Sequence, residues 1–84
     1  MKLIQNMVNY KVNMITGEEL FKYARQFKVK ISREDAEKIA DYLRGKQLDI
    51  FEDQARSKAL KDIAKITSPE TAREINRVFV LFTK

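Results

Sequence analysis

Four helix-start signals divide this chain at nearly even intervals, at Thr16, Ser32, Asp49 and Ser68. Each is a short polar side chain that can accept a hydrogen bond from the first free amides of a helix. Thr16 and Asp49 are each followed three residues later by a glutamate, Glu19 and Glu52, in the reciprocal arrangement of a capping box. Ser68 precedes Pro69 and Glu70, which places a proline at the first helical position and an acid in the first turn. Between these signals there are only two glycines and one proline in 84 residues, so little in the chain interrupts a helix once it has begun.

The apolar periodicity agrees with the caps. Leu20, Tyr23, Ala24 and Phe27 fall on one face of a helix expected over residues 17–27. Ala36, Ile39, Ala40 and Leu43 form a narrow stripe on a helix over 33–44, with Gly45 where a left-handed terminal residue is expected. Phe51, Ala55, Ala59, Ile63 and Ile66 follow Asp49, and Ala72, Ile75, Val78, Phe79 and Phe82 line the inward face of a helix over 69–82. At the start of the chain Lys2, Gln5, Asn6, Asn9 and Asn13 recur at helical spacing, so residues 2–14 are also expected to be helical. Val29 and Ile31 alternate with Lys28 and Lys30, the period of a short extended linker that tucks two side chains inward. The expected fold is all-α: a compact bundle of about five short helices with one short extended linker, in a single helical domain over residues 1–84.

Arg44, Gly45 and Lys46 place two cations around a glycine, but the polarity is that of a helix end. Cations there complement the negative end of the helix dipole, whereas a phosphate-binding loop needs glycines leading into a helix N-terminus. Absence of cysteine and histidine removes the usual zinc ligands, thiol nucleophiles and any serine–histidine triad. The longest apolar run, Val78 to Phe82, is far short of the roughly 20 residues that cross a bilayer, and Gln5, Asn6 and Asn9 interrupt a signal sequence. A reduced, cytoplasmic setting, no membrane insertion, no cofactor and no small-molecule substrate are therefore expected.

Leu-Arg-Gly-Lys-Gln-Leu-Asp-Ile-Phe at 43–51, Thr-Ser-Pro-Glu-Thr-Ala-Arg at 67–73 and Ile-Gln-Asn-Met-Val-Asn at 4–9 resemble the small YqfT-like family of Bacillus-type bacteria. The resemblance extends over nearly the whole chain. It implies a small bacterial cytoplasmic protein and carries no catalytic residue across.

Two surface features bear on function. The apolar arc of the first helix (Leu3, Ile4, Met7, Val8, Tyr10, Val12, Met14, Ile15) spans about 200° at roughly 100° per residue, with Lys11 near its centre. Such a helix either sits centrally, wrapped by the other four, or turns part of its arc toward a partner. Val80 and Leu81 carry a similar apolar surplus at the other end of the chain. Leu3, Met7, Tyr10, Lys11, Met14, Val80 and Leu81 are the candidate partner interface.

The second feature is charge, a net +5 that is distributed unevenly. Residues 1–32 hold six cations against two acids and residues 53–84 seven against four, while 33–52 hold four against six. Lys22, Arg25, Lys28 and Lys30 around the second helix, and Lys58, Lys61 and Lys65 on the fourth, are candidate contacts to a nucleic-acid backbone. A helix-turn-helix using residues 19–44 is disfavoured, because Glu34, Glu37 and Asp41 would face the phosphates. Those three carboxylates share one solvated face, which suits a basic partner better than a metal. The function expected from the sequence is a non-enzymatic helical interaction module engaging a protein partner or a homo-oligomer. The alternative is a nucleic-acid-associated accessory protein binding phosphates through its lysine faces.

Overall fold

A computed structural model, which describes residues 2–83, places helices at α1 (Lys2–Asn13), α2 (Gly17–Gln26), α3 (Arg33–Leu43), α4 (Asp53–Ile66) and α5 (Pro69–Phe82). Among the described residues there is no strand, and the all-α bundle measures 32 × 24 × 21 Å. The caps explain most of the boundaries. The Thr16 side chain accepts from the Glu19 amide while Glu19 accepts from the Thr16 N–H, so the box at the start of α2 is complete. Ser32 and Ser68 accept from the Asp35 and Thr71 amides at the starts of α3 and α5. Residues 29–32 form the linker between α2 and α3, with Val29 buried and Ile31 half-buried.

One boundary differs from the sequence reading. Asp49 does not cap α4; its carboxylate accepts from the Phe51 amide in a local turn, and Glu52 takes the cap by accepting from the Ala55 amide. The helix starts a turn later because residues 48–50 are held elsewhere. Leu48 and Ile50 are hydrogen-bonded to side chains of α1, and a turn in which the Glu52 N–H donates to the Asp49 carbonyl follows before the helix begins at Asp53.

The helices pack most closely as two pairs, α2 with α3 and α4 with α5. Gly17 permits the first pair to close, since a Cβ there would lie 2.5 Å from Glu37 Cγ and 2.8 Å from Glu37 Cα. The core between the pairs is built on Leu20, Ile39, Leu43, Ile63, Ile75 and Phe79, all essentially inaccessible to water. Ile50, from the loop before α4, is completely buried among them. Tyr23, Phe27 and Phe82 close one end, with Phe82 edge-on to both other rings at centroid distances of 5.2 and 5.9 Å. Polar links tie the pairs together: Tyr42 donates to Asp62 at 2.5 Å between α3 and α4, and Thr71 donates to Asp35 at 3.2 Å between α5 and α3.

The first helix is not the central one. Among the described side chains of α1 only Val12 is fully buried, joined by Ile15 just beyond its end and by the half-buried Val8. What fixes α1 is largely polar. Asn13 donates to the Leu48 carbonyl and accepts from the Leu48 N–H, while Asn9 accepts from the Ile50 N–H and donates to Asp49. The Arg44–Gly45 stretch completes the attachment, the guanidinium donating to the Ile15 carbonyl and the Gly45 N–H to the Asn13 carbonyl. Carbonyls left free at the end of one helix are thus satisfied by the end of another. Gly45 has φ of +79°, a conformation that costs glycine little. The side chain of Lys2, first of the polar series read from the sequence, lies outside the described residues.

Candidate functional site

The asparagines decide which face of α1 turns outward. Because Asn9 and Asn13 are committed to the loop at 48–50 and Val8 and Val12 to the body, Leu3, Ile4, Met7, Tyr10 and Met14 are left in solvent, 57–73% exposed. A single exposed leucine is ordinary on a protein surface, but five large apolar side chains in one contiguous stripe are not. Lys11 stands beside the stripe and reaches Glu19 at 3.7 Å. The Thr16 N–H, and then the Lys11 charge, hold the Glu19 carboxyl below the usual range, so Glu19 stays ionised at neutral pH opposite Lys11.

The stripe continues onto the body of the protein. Met7, Val8 and Lys11 line a depression of about 300 Å³ with Tyr23 of α2 and Phe82 of α5, so three helices contribute to one largely apolar surface. Of the two residues singled out near the C-terminal end, Leu81 is 40% exposed and Val80 is half-buried. Val80 is therefore the weaker member of the set: a half-buried side chain offers a partner little area. The polar series of α1 signals its own docking, and Tyr23 and Phe82 join the surface only through tertiary packing.

Two groups of the cationic residues line separate concavities. Lys22 and Arg25 line a shallow concavity on α2 with Glu19, whereas Lys58 and Lys61 line another on α4 with Asp53. Lys58 is within 3.5 Å of Asp62, while Lys22, Arg25, Lys28, Lys30, Lys61 and Lys65 enter no ion pair among the described residues. Phe21 lies under two guanidinium groups, those of Arg33 at 4.6 Å and Arg25 at 5.9 Å from its ring centre. The sequence reading missed this stacked aromatic, whose only signal was the four-residue spacing from Phe21 to Arg25.

The other sequence features have structural roles. Arg44 pairs with Asp41, and the Lys46 ammonium sits 4.9 Å from the centre of the Tyr42 ring. Glu34, Glu37 and Asp41 remain exposed, and among the described residues no cluster of three carboxylates is placed to hold a metal ion. No helix of the described chain is long and apolar enough to cross a membrane.

Comparison with known proteins agrees with the resemblance seen in the sequence. A family model described as a protein of unknown function, DUF2624, matches residues 1–83. The chain is also similar to the uncharacterized protein YqfT of Bacillus subtilis (strain 168), with 36% identity over 83 residues that cover 99% of both chains. No solved structure matches.

Proposed function

The chain belongs to the DUF2624 family, and we propose that it is a non-enzymatic interaction module whose working surface is the outer face of α1. The carrying observation is the stripe of Leu3, Ile4, Met7, Tyr10 and Met14, left in solvent by a helix that is pinned to the body through asparagines. Burial of such a stripe against a second apolar surface is favourable at about 25 cal/mol per Å². Apolar residues with a tyrosine among them, rimmed by one neutralised cation, have the composition of an interface centre. The composition supports the non-catalytic part of the reading, because a chain without histidine or cysteine has a narrow choice of acid, base and nucleophile.

A photo-reactive phenylalanine analogue placed at Tyr10 or Met7 in the producing bacterium tests this. Irradiation is expected to give defined adducts at both positions and none at the exposed control site Glu34. Adducts equally abundant at the control site, or absent from all three, would refute the surface as a docking site.

A second reading keeps one specific observation: Phe21 lies under the guanidinium groups of Arg25 and Arg33, and Lys22, Arg25, Lys28 and Lys30 enter no ion pair among the described residues. They support binding of a nucleic-acid backbone, which predicts that log affinity for an oligonucleotide falls linearly with log salt and is indifferent to sequence.

A further inference from the structure

The stripe on α1 has a regularity that identifies its occupant. Leu3, Met7, Tyr10 and Met14 are separated by four, three and four residues, the spacing of a two-heptad seam. That series reads the same in both directions. An identical stripe laid beside it head to tail therefore matches it residue for residue, as a closed twofold interface requires. We infer that the outer face of α1 docks a second copy of this chain, antiparallel, about a twofold axis passing between residues 8 and 9. This inference rests on the reading of α1 as the working surface and names its partner.

In that pairing Leu3 faces the partner's Met14, and Met7 faces the partner's Tyr10, so the Met7 thioether lies against an aromatic ring in each of the two symmetry-related contacts. Lys11 flanks the partner's Ile4, where its methylenes add apolar cover while its ammonium keeps Glu19. Charge selects the orientation. Helix α1 carries Lys2 and Lys11 and no acid. A parallel pair would bring together two helix N-termini of the same positive sign, while the antiparallel pair separates them by roughly 18 Å of helix. Area is adequate as well. The five exposed side chains present on the order of 600 Å², so two copies bury roughly 1,200 Å², the lower edge of the range for specific interfaces. The depression lined by Met7, Val8, Lys11, Tyr23 and Phe82 borders the stripe and extends the contact beyond the two helices.

Light scattering coupled to size exclusion, on the full chain at about 10 to 100 µM, tests the inference. The expected mass is twice the 9.9 kDa of one chain. Tyr10→Glu, at a position 68% exposed, is expected to halve that mass with the far-ultraviolet circular dichroism unchanged. The native chain has no cysteine, so single cysteines report orientation cleanly. Under mild oxidation, mixed Met7→Cys and Tyr10→Cys chains should give mainly the mixed disulfide, and Leu3→Cys alone should give little. A monomer across the whole concentration range overturns the inference, as does a dimer that survives Tyr10→Glu or a dominant Leu3→Cys self-disulfide. So does a monomer that gains mass only on phosphatidylglycerol vesicles. A monomer whose photo-adducts at residue 10 contain another protein leaves the wider reading standing, whereas a monomer without adducts removes both.

Discussion

The attachment of α1 through side-chain amides makes Asn13 the most informative single position in the fold. Asn13 donates to the Asn9 carbonyl at 2.7 Å and to the Leu48 carbonyl at 3.2 Å, and accepts from the Leu48 N–H at 3.0 Å. Asn13→Ala removes all three bonds and leaves both backbone groups of Leu48 without their partner. Each such group costs about 1 to 3 kcal/mol when fully buried. The site is half-buried and water can reach part of it, and alanine at the last residue of a helix returns a few tenths of a kcal/mol in propensity, so a net loss of about 2 kcal/mol is expected. A chain of this size has about 4 to 12 kcal/mol in total, so the loss is readily measured by urea unfolding. Amide exchange locates it: an opening made easier by 2 kcal/mol speeds exchange of the Leu48 N–H by roughly 30-fold. The helix α3 amides, which do not depend on this contact, serve as the internal reference. If the Leu48 amide exchanged at its original rate in Asn13→Ala, α1 would be held by packing of Val12 and Ile15, and the account of the polar attachment would be wrong.

Three further outcomes follow from the geometry. Gly17→Ala should destabilise by about 1 to 2 kcal/mol despite the better helix former, because its Cβ would meet the Glu37 backbone at 2.8 Å; equal or higher stability in denaturant would refute the close approach. Ile50→Ala empties a completely buried position and should cost about 2 to 5 kcal/mol, lowering the melting temperature by at least about 10 °C in a thermal scan. Burial, then the hydrogen bond to Asp62 and its charge, push the Tyr42 phenol up to about 12. A phenol raised in this way stabilises the fold fully below pH 10, and that contribution disappears as pH rises from 10 to about 12. The hydrogen bond from Tyr42 lowers the Asp62 carboxyl, so its contribution is present at neutral pH and fades as acid protonates it. Tyr42→Phe should therefore flatten the loss of stability across pH 10–12 and remove one late-titrating group from the ultraviolet phenolate titration; an unchanged titration would refute the assignment.

What the sequence discloses about this fold is local, and the reason lies in which contacts are local. Caps at Thr16, Ser32 and Ser68 bond within three residues of themselves, so their meaning survives without tertiary information. Asp49 fits the same local template equally well, yet its neighbours Leu48 and Ile50 are bonded to Asn13 and Asn9 across separations of 35 and 41 residues. A template cannot see those partners, so it places the start of α4 one turn too early. The asparagines of α1 show the same limit. Their helical spacing was legible as a polar face, and a polar face ordinarily meets water. Here it meets a stretch of unpaired backbone, for which side-chain amides are the natural match because they offer both a donor and an acceptor.

This inversion also explains why the candidate surface was only half legible. The excess of apolar residues on the first helix follows from counting, and counting alone allows a central helix or an outward-facing one. The choice between them depends on how much surface a helix must give to each neighbour. By attaching through Asn9 and Asn13, α1 spends its polar face on the body and leaves the arc around Met7 and Tyr10 free. An α1 fixed by its apolar side would have presented asparagines to solvent and nothing for a partner to bury. The polar attachment and the exposed stripe are thus one feature seen from opposite sides. Asn9→Leu together with Asn13→Leu should therefore disturb both, weakening the hold on residues 48–50 and letting the helix roll its stripe toward the body. Uptake of an apolar dye by the double variant, compared with Tyr10→Glu, checks the coupling. In Tyr10→Glu the freed monomer keeps its stripe outward, so it takes up more dye with the Leu48 amide protected as before. If α1 rolls inward, the double variant takes up less dye than Tyr10→Glu and loses that protection, and equal uptake in the two would refute the roll.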